Sequence, residues 1–417
     1  MKLRNLFFSW LMVLCLAGAR ADAATEKDKP AESADSSVTR KADSSLVPKV
    51  NGPIGWGIFQ NMHRNVIDAH GIDYNIESRY LFGAETEFKW GELEPKEGEY
   101  HWQVIDQFIK PWAAAGKKVT IQISTCQKQV MYCTPQWVYD AGAAKILSKA
   151  PDIRHGVAQA KADNDPSEIR IKSFPESYYP VYWDPVYLQK YSNFIRALGK
   201  RYDGHPAVET ILIGLGHNSG ITVIPINSTP ELAEQYRRAG FSYDIWLKTV
   251  LQIAGVYREA FPHTPLRATT STIDKRTDPQ VKQAQLMRYC EALANRGVIP
   301  FYHNVEGTQK YRDSPIPALF AKLSGHSKVA LGMDNPTWNE NRKGREGNAY
   351  YGSPKDQYES AVGGAHGIPP SHLSYFIIYA NDVAASIPGS EHYSQEYEEA
   401  VKWIYQNLKQ NAAGQTP

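Results

Sequence analysis

Eight short apolar segments alternate with amphipathic helical stretches from residue 54 to residue 410, and that alternation limits the fold more than any other feature of the sequence. The strand candidates are "IGWGIF" (54–59), "AETEFK" (84–89), "KVTIQIS" (118–124), "VETILIG" (208–214), "LRATTS" (266–271), "IPFYHNV" (299–305), "KVALGM" (328–333) and "SYFIIYA" (374–380). Between them lie helical stripes. Tyr187, Leu188, Tyr191, Phe194, Ile195 and Leu198 recur at the 3.6-residue period, and Tyr397, Val401, Ile404 and Leu408 share one face of a final helix. Another helix is predicted to start at Asp278-Pro279, a capping residue followed by a first-turn proline, and to stop at Gly297. Strands that alternate with helices form parallel sheets, and eight of them close a barrel. The expected fold is therefore α/β, a (β/α)8 TIM barrel in one domain over residues 51–410. The competing arrangement is an open doubly wound sheet, and no glycine-rich fingerprint follows the first strand to support it.

The two ends carry no core. Lys2 and Arg4 precede the apolar run "LFFSWLMVLCLAGA", and small residues follow in "ARADAA", the pattern of a secretory signal peptide cleaved after Ala21 or Ala23. The apolar run is short for a membrane span, so no anchor is expected after cleavage. Residues 24–50 hold almost no large apolar side chains and read as a disordered linker, and 411–417 as a flexible tail. A secreted or periplasmic location follows. In that setting Cys126 and Cys133, close together in "STCQKQVMYC", are candidates for a disulfide, with a pair of thiols as the alternative. Cys290 falls in a helix and reads as a buried thiol. The net charge is +2 with no block of like charge, which excludes a nucleic-acid surface as the evident partner. No metal-ligand spacing and no Gly-x-Ser-x-Gly elbow occurs, so neither a metal, a cofactor nor a serine nucleophile is expected.

In a (β/α)8 barrel, chemistry sits where strands end, and strand starts serve stability. Glu209 opens its strand and is therefore expected to be structural. The strand-end residues that could line a cleft are Trp90, His217, Asn218, Tyr302, His303, Glu306, Asp334, Trp338 and Asn381. The long segment 125–186 is expected to fold over the mouth and bring Trp137 and Trp183 to it. The chain holds 10 Trp and 25 Tyr, and aromatic faces suit the apolar C–H faces of sugars, although barrel cores use the same residues.

Three stretches resemble a known family. "FKWGELEPKEGEYHWQVIDQFIKPWAAAGKKVTIQI", in which Trp90, Glu94, Pro95, Glu97, Gly98, Tyr100 and Trp102 carry the pattern, is similar to the second-to-third-strand unit of clan-A-type barrel glycoside hydrolases. It most resembles the family 42 beta-galactosidases and their uncharacterised bacterial relatives. "TPQWVYD" (134–140) and "YWDPVYLQKYSNFIRALGKRYDGHPAVETILIGLG" (182–216) are similar to the same group. The resemblance implies a glycosidase acting on a poly- or oligosaccharide. It also implies an acid/base Glu after strand four and a nucleophile Glu after strand seven. This chain departs at both. No carboxylate lies between Glu209 and Glu231, and Asp334 stands where the nucleophile is expected. Glycoside hydrolysis needs two carboxyl groups flanking the bond. The expected catalytic pair is Asp334 with Glu306, on neighbouring strand ends. The alternatives are Asp334 with another acid, such as Glu85 or Asp382, or a barrel that binds sugar without cleaving it. Glu94 and Glu97 are read as parts of a turn, where Pro95 fixes φ and Gly98 tolerates an unusual conformation.

Overall fold

A computed structural model describes residues 57–62, 75–126, 133–149, 176–216, 230–270, 278–334, 336–337, 352–363, 368, 372–390 and 392–413. The readings placed on residues 1–50 lie outside these. Eight parallel strands close on themselves: β1 (Gly57–Met62), β2 (Leu81–Lys89), β3 (Lys118–Ser124), β6 (Val208–Leu212), β7 (Leu266–Thr269), β8 (Val298–Val305), β9 (Val329–Met333) and β10 (Leu373–Tyr379). Their order around the wall is β1-β10-β9-β8-β7-β6-β3-β2, a closed barrel. All eight expected strands are present, and the open sheet is excluded. β4 (Lys145–Lys149) and β5 (Glu176–Pro180) form a separate antiparallel pair. Among the described residues, no helix is long and apolar enough to cross a membrane.

Helix starts follow the capping chemistry. Asp184 accepts from the Tyr187 N–H ahead of helix Pro185–Tyr202, and Asp278 accepts from the Gln280 and Val281 N–H groups ahead of helix Pro279–Ala294. Gly297, at φ +70°, turns the chain into β8 in a conformation that favours glycine. The last helix, Gln395–Ala413, runs through residues 411–413, which the sequence assigns to a tail.

Side chains alternate between the barrel axis and the helix layer. Phe59, Leu212, Ile299, Phe301, Ala330, Tyr375 and Ile377 fill the axis. Phe88 points the other way, onto Phe108 of helix Gln103–Ala114. Near the strand starts the β3–β6 register slips between Val119 and Thr120, and the Glu209 carboxylate accepts a 2.6 Å hydrogen bond from the Tyr375 hydroxyl. Glu209 is thus a structural residue at the closed end, as its place in the strand predicts.

The barrel wall is tightest beside β3. A Cβ on Gly214 would stand 1.5 Å from the backbone oxygen of Ile123, with no side chain to move aside. Gly214→Ala is expected to lower stability by about 3 kcal/mol or more, the upper range for overpacking, read as a shift of the denaturant midpoint at unchanged m-value.

Candidate active site

The mouth of the barrel is built by inward-facing residues at the upper ends of the strands. On β2, Glu85 meets the axial Arg267, and alternation puts Glu87 on the same face one step higher. On β3, Thr120 faces in, bonding Thr210 across the β3–β6 pair at 2.8 Å, so Gln122, paired in register with Glu87, faces in above it. On β7, Thr269 follows Arg267 by two residues. On β8, the His303 ring lies between Phe301 (5.4 Å between ring centroids) and Tyr379 (5.8 Å). It rests on Gly332, where a Cβ would stand 2.6 Å from the imidazole Cδ2. Glu87, Gln122, Thr269, His303 and Asp334 are all half-buried, open enough to meet a ligand and packed enough to hold position.

Asp334 is the first residue after β9. A bulge aims its neighbour: the β8–β9 register advances from Tyr302–Leu331 to Val305–Met333, so β8 carries one residue more than β9 across this stretch. The extra length lets the Asn304 side-chain amide donate to the Asp334 carboxylate. The Asp334 N–H bonds the Val305 carbonyl at 3.1 Å, and its carbonyl accepts from the Tyr379 hydroxyl at 2.9 Å. Burial pushes the Tyr379 hydroxyl well above its ordinary pKa, and the charges of Asp334, Asp382 and Glu85 add to the shift.

The other acids considered from the sequence are placed differently. Glu85 is buried and ion-paired with Arg267, whose guanidinium also lies over the rings of Phe59, Phe301 and Tyr375 at 5.7, 5.0 and 5.5 Å. Asp382 is fully buried and accepts from the Thr337 N–H at 3.0 Å and the Thr337 hydroxyl at 2.6 Å, so it clamps the loop that follows Asp334. Glu306 accepts from the Thr308 hydroxyl at 2.9 Å. Its charge acts on Tyr302 of β8, as that of Asp334 does, and on Tyr311 of helix Gln309–Arg312.

One aromatic assignment is corrected, that of Trp90, and three others are placed against protein neighbours. Trp90 is fully buried, its indole N–H donates to Glu94 at 2.7 Å, and its ring packs among Trp137, Tyr187, Tyr191 and Phe194. Trp137 donates to the Glu94 carbonyl at 2.9 Å, and Trp183 donates to the Ala239 carbonyl at 2.8 Å while packing on Tyr236 and Phe241. Tyr302 packs against Tyr311 and Phe320 in the helix layer, where burial first and then the charges of Asp334 and Glu306 push its pKa up. Trp90 is therefore no sugar platform, while Trp137, Trp183 and Tyr302 are half-buried. Asn381 is exposed in the first turn of the helix that follows β10. His217, Asn218 and Trp338 lie outside the described residues.

The segment 125–186 supplies helix Gln136–Asp140 and the β4–β5 hairpin. Gln235 and Tyr236, from helix Pro230–Arg238, donate to the Leu147 and Pro180 carbonyls at 3.0 and 3.4 Å, which ties the hairpin to that helix. Cys126 and Cys133 are buried thiols; the expected bridge is not formed. Burial holds the Cys126 thiol well above its ordinary pKa, which disfavours the thiolate that oxidation requires. Among the described residues no group of three or more His, Cys, Asp or Glu side chains could hold a metal ion.

Glu94 anchors the turn as the sequence predicts, accepting from the Trp90 indole at 2.7 Å and from the Gly98 N–H at 2.9 Å. Desolvation nonetheless raises its pKa, with the Gly98 and Trp90 bonds opposing. A carboxyl with a raised folded pKa stays protonated while the unfolded chain ionises, so its contribution to stability falls as pH rises from about 4.3, the unfolded value, through the folded one. Glu94→Gln, which cannot ionise, is expected to flatten the stability profile over that window, measured by denaturation at stepped pH. At neutral pH it should still cost about 1 kcal/mol through the lost second acceptor.

The fold is a (β/α)8 barrel with a polar mouth, and part of its sequence is similar to a glycoside hydrolase family. The more particular likeness is to the family model described as beta-galactosidase (glycoside hydrolase family 42), which matches residues 82–215, the stretch from β2 to the end of β6. Among solved structures, the catalytic domain of a beta-amylase from Paenibacillus polymyxa superposes with a TM-score of 0.53 at 9% identity, covering 85% of this chain and 100% of that one. A beta-galactosidase from Rahnella sp. R3 gives 0.49 at 13% identity, covering 87% and 58%. A xylanase from Cellvibrio japonicus gives 0.47 at 12% identity, covering 87% and 99%. No curated protein matches the sequence.

Proposed function

We propose that the chain is an exported glycosidase that hydrolyses a poly- or oligosaccharide at the mouth of the barrel, with Asp334 as one of its two carboxylates. One observation carries this reading: Asp334 follows β9, the seventh barrel strand in chain order, half-exposed on a ring of inward polar side chains. Gln122, Thr269 and His303 supply hydrogen-bonding groups of the kind that sugar hydroxyls require, and the amide of Asn304 holds the acid. The matched beta-galactosidase model supports a glycoside as substrate. Export rests on the basic-apolar-small pattern of residues 1–23.

A second reading, a barrel that binds sugar without cleaving it, is favoured by the stretch from Thr210 to Pro230, which holds no carboxylate. One screen separates them. The purified protein is incubated with a panel of polysaccharides and oligosaccharides, and both reducing-end release and thermal shift are recorded. Release supports the glycosidase, thermal shift without release supports the binding barrel, and neither signal sinks both.

A further inference from the structure

We propose that Glu87 is the general acid that works with Asp334; this rests on the glycosidase reading of the mouth. Glu306 and Asp334 follow neighbouring strands, and the Glu306 carboxylate is already held by the Thr308 hydroxyl. Glu85, Glu209 and Asp382 are buried, at 2%, 9% and 0% exposure, beyond the reach of a sugar. Glu87 is the half-exposed acid that alternation turns toward the axis near the upper end of β2: Ala84 packs in the outer core and Phe88 packs on Phe108, while Glu85, two residues back, meets Arg267 on the axis.

Its place on the wall sets the distance to Asp334. In the closed order, β1 and β10 stand between β2 and β9, so the two acids face one another across the mouth. With neighbouring strands about 4.8 Å apart, three steps around the wall hold their backbones roughly 12–14 Å from each other. Side chains reaching inward from both walls shorten this toward the roughly 6.5–9.5 Å between carboxyls that leaves room for a water as well as the sugar, the arrangement of inverting enzymes. The donor on Asp334 assigns the roles. An amide N–H directed at a carboxylate favours its ionised form, so Asp334 is the base. In the reaction, a water O–H proton passes to Asp334 as the water oxygen bonds to the anomeric carbon. The bond from that carbon to the leaving oxygen breaks, and the Glu87 proton passes to that oxygen. Glu87 ends ionised and Asp334 protonated, and proton exchange with solvent restores both.

The test uses Glu87→Gln, with Glu87→Asp as a second variant, on the full chain. The substrates are phenyl and 2,4-dinitrophenyl glycosides of galactose, glucose and xylose. A dinitrophenolate leaves without a proton, so loss of the acid spares it. Glu87→Gln is expected to lower kcat on the phenyl glycoside about 10²–10⁴-fold and on the dinitrophenyl glycoside less than about tenfold. Glu87→Asp, with its carboxyl set back by one methylene, is expected to show the same split at smaller size. The first product of the wild type is expected to have inverted anomeric configuration by NMR. Equal losses on the two leaving groups, undiminished activity of both variants, or retained configuration each overturn the assignment. If Asp334→Asn is inactive while Glu87→Gln keeps full activity, Glu87 is excluded and the glycosidase stands. If the wild type cleaves no glycoside in this set or in the polysaccharide panel, the glycosidase reading and this assignment both fall.

Discussion

Replacing Asp334 with Asn is expected to lower turnover by on the order of 10²–10⁴-fold while leaving the fold intact, because the change removes a base without removing a hydrogen-bond acceptor. The Asn304 amide that donates to the Asp334 carboxylate can donate equally to the Asn oxygen. The backbone bonds to Val305 and from Tyr379 do not involve the side chain at all. The variant should therefore melt close to the wild type and still bind substrate. The readouts are kcat and KM from initial rates, with calorimetric melting as the control for folding. A loss confined to kcat, with KM near the wild-type value, marks a group that acts in the transition state. A full loss of binding would mark Asp334 as a positioning contact for the sugar. Undiminished turnover would remove it from the reaction altogether.

The wall of the barrel was legible in the sequence because its strands are short runs whose described residues are mostly buried on both faces. That composition differs sharply from the 3.6-residue stripes on either side. The mouth was less legible, because attention to residues beyond each strand passes over those inside the last turn of the pleat. Glu87, Gln122 and Thr269 lie within or at the end of β2, β3 and β7. The signal for the first of them was present: in "AETEFK", Ala84, Thr86 and Phe88 alternate with Glu85 and Glu87, and an apolar outer phase with an acidic inner one is what a lined barrel mouth requires.

Trp90 was misplaced for a different reason. An indole that stacks on a sugar and one that stacks on Tyr191 have the same sequence neighbourhood, and only the packing of helix Pro185–Tyr202 against Trp90 decides between them. The β4–β5 hairpin offered no local turn signal, since residues 150–175 separate its strands. The Cys126–Cys133 pairing was readable as proximity, but whether two thiols bridge depends on where their sulfurs point, which spacing does not encode.

Arg267 is the longest-range feature, and the second large effect is expected there: Arg267→Met should destabilise the chain by about 3–5 kcal/mol. Nothing in "LRATTS" announces its partner, because Glu85 lies 182 residues earlier and the two meet only once the barrel closes. Both are almost fully buried, at 0% and 2% side-chain exposure, so neither charge is hydrated. The guanidinium compensates through one ion pair and three aromatic faces, while its Nε and Nη1 have no hydrogen-bond partner among the described residues. Such a pair contributes little net stability relative to apolar residues, yet it is costly to break, because removing the cation strands an anion in the barrel axis. The double variant Arg267→Met, Glu85→Leu should therefore regain much of the loss. Chemical denaturation of the four proteins in this cycle gives the coupling directly. A coupling near zero would mean that Glu85 finds another partner or water when Arg267 is gone, and that the axial charge pair is incidental to the closed barrel. A coupling of several kcal/mol would make it the lock between β2 and β7, holding the strand that carries Glu87 at a fixed height below the mouth.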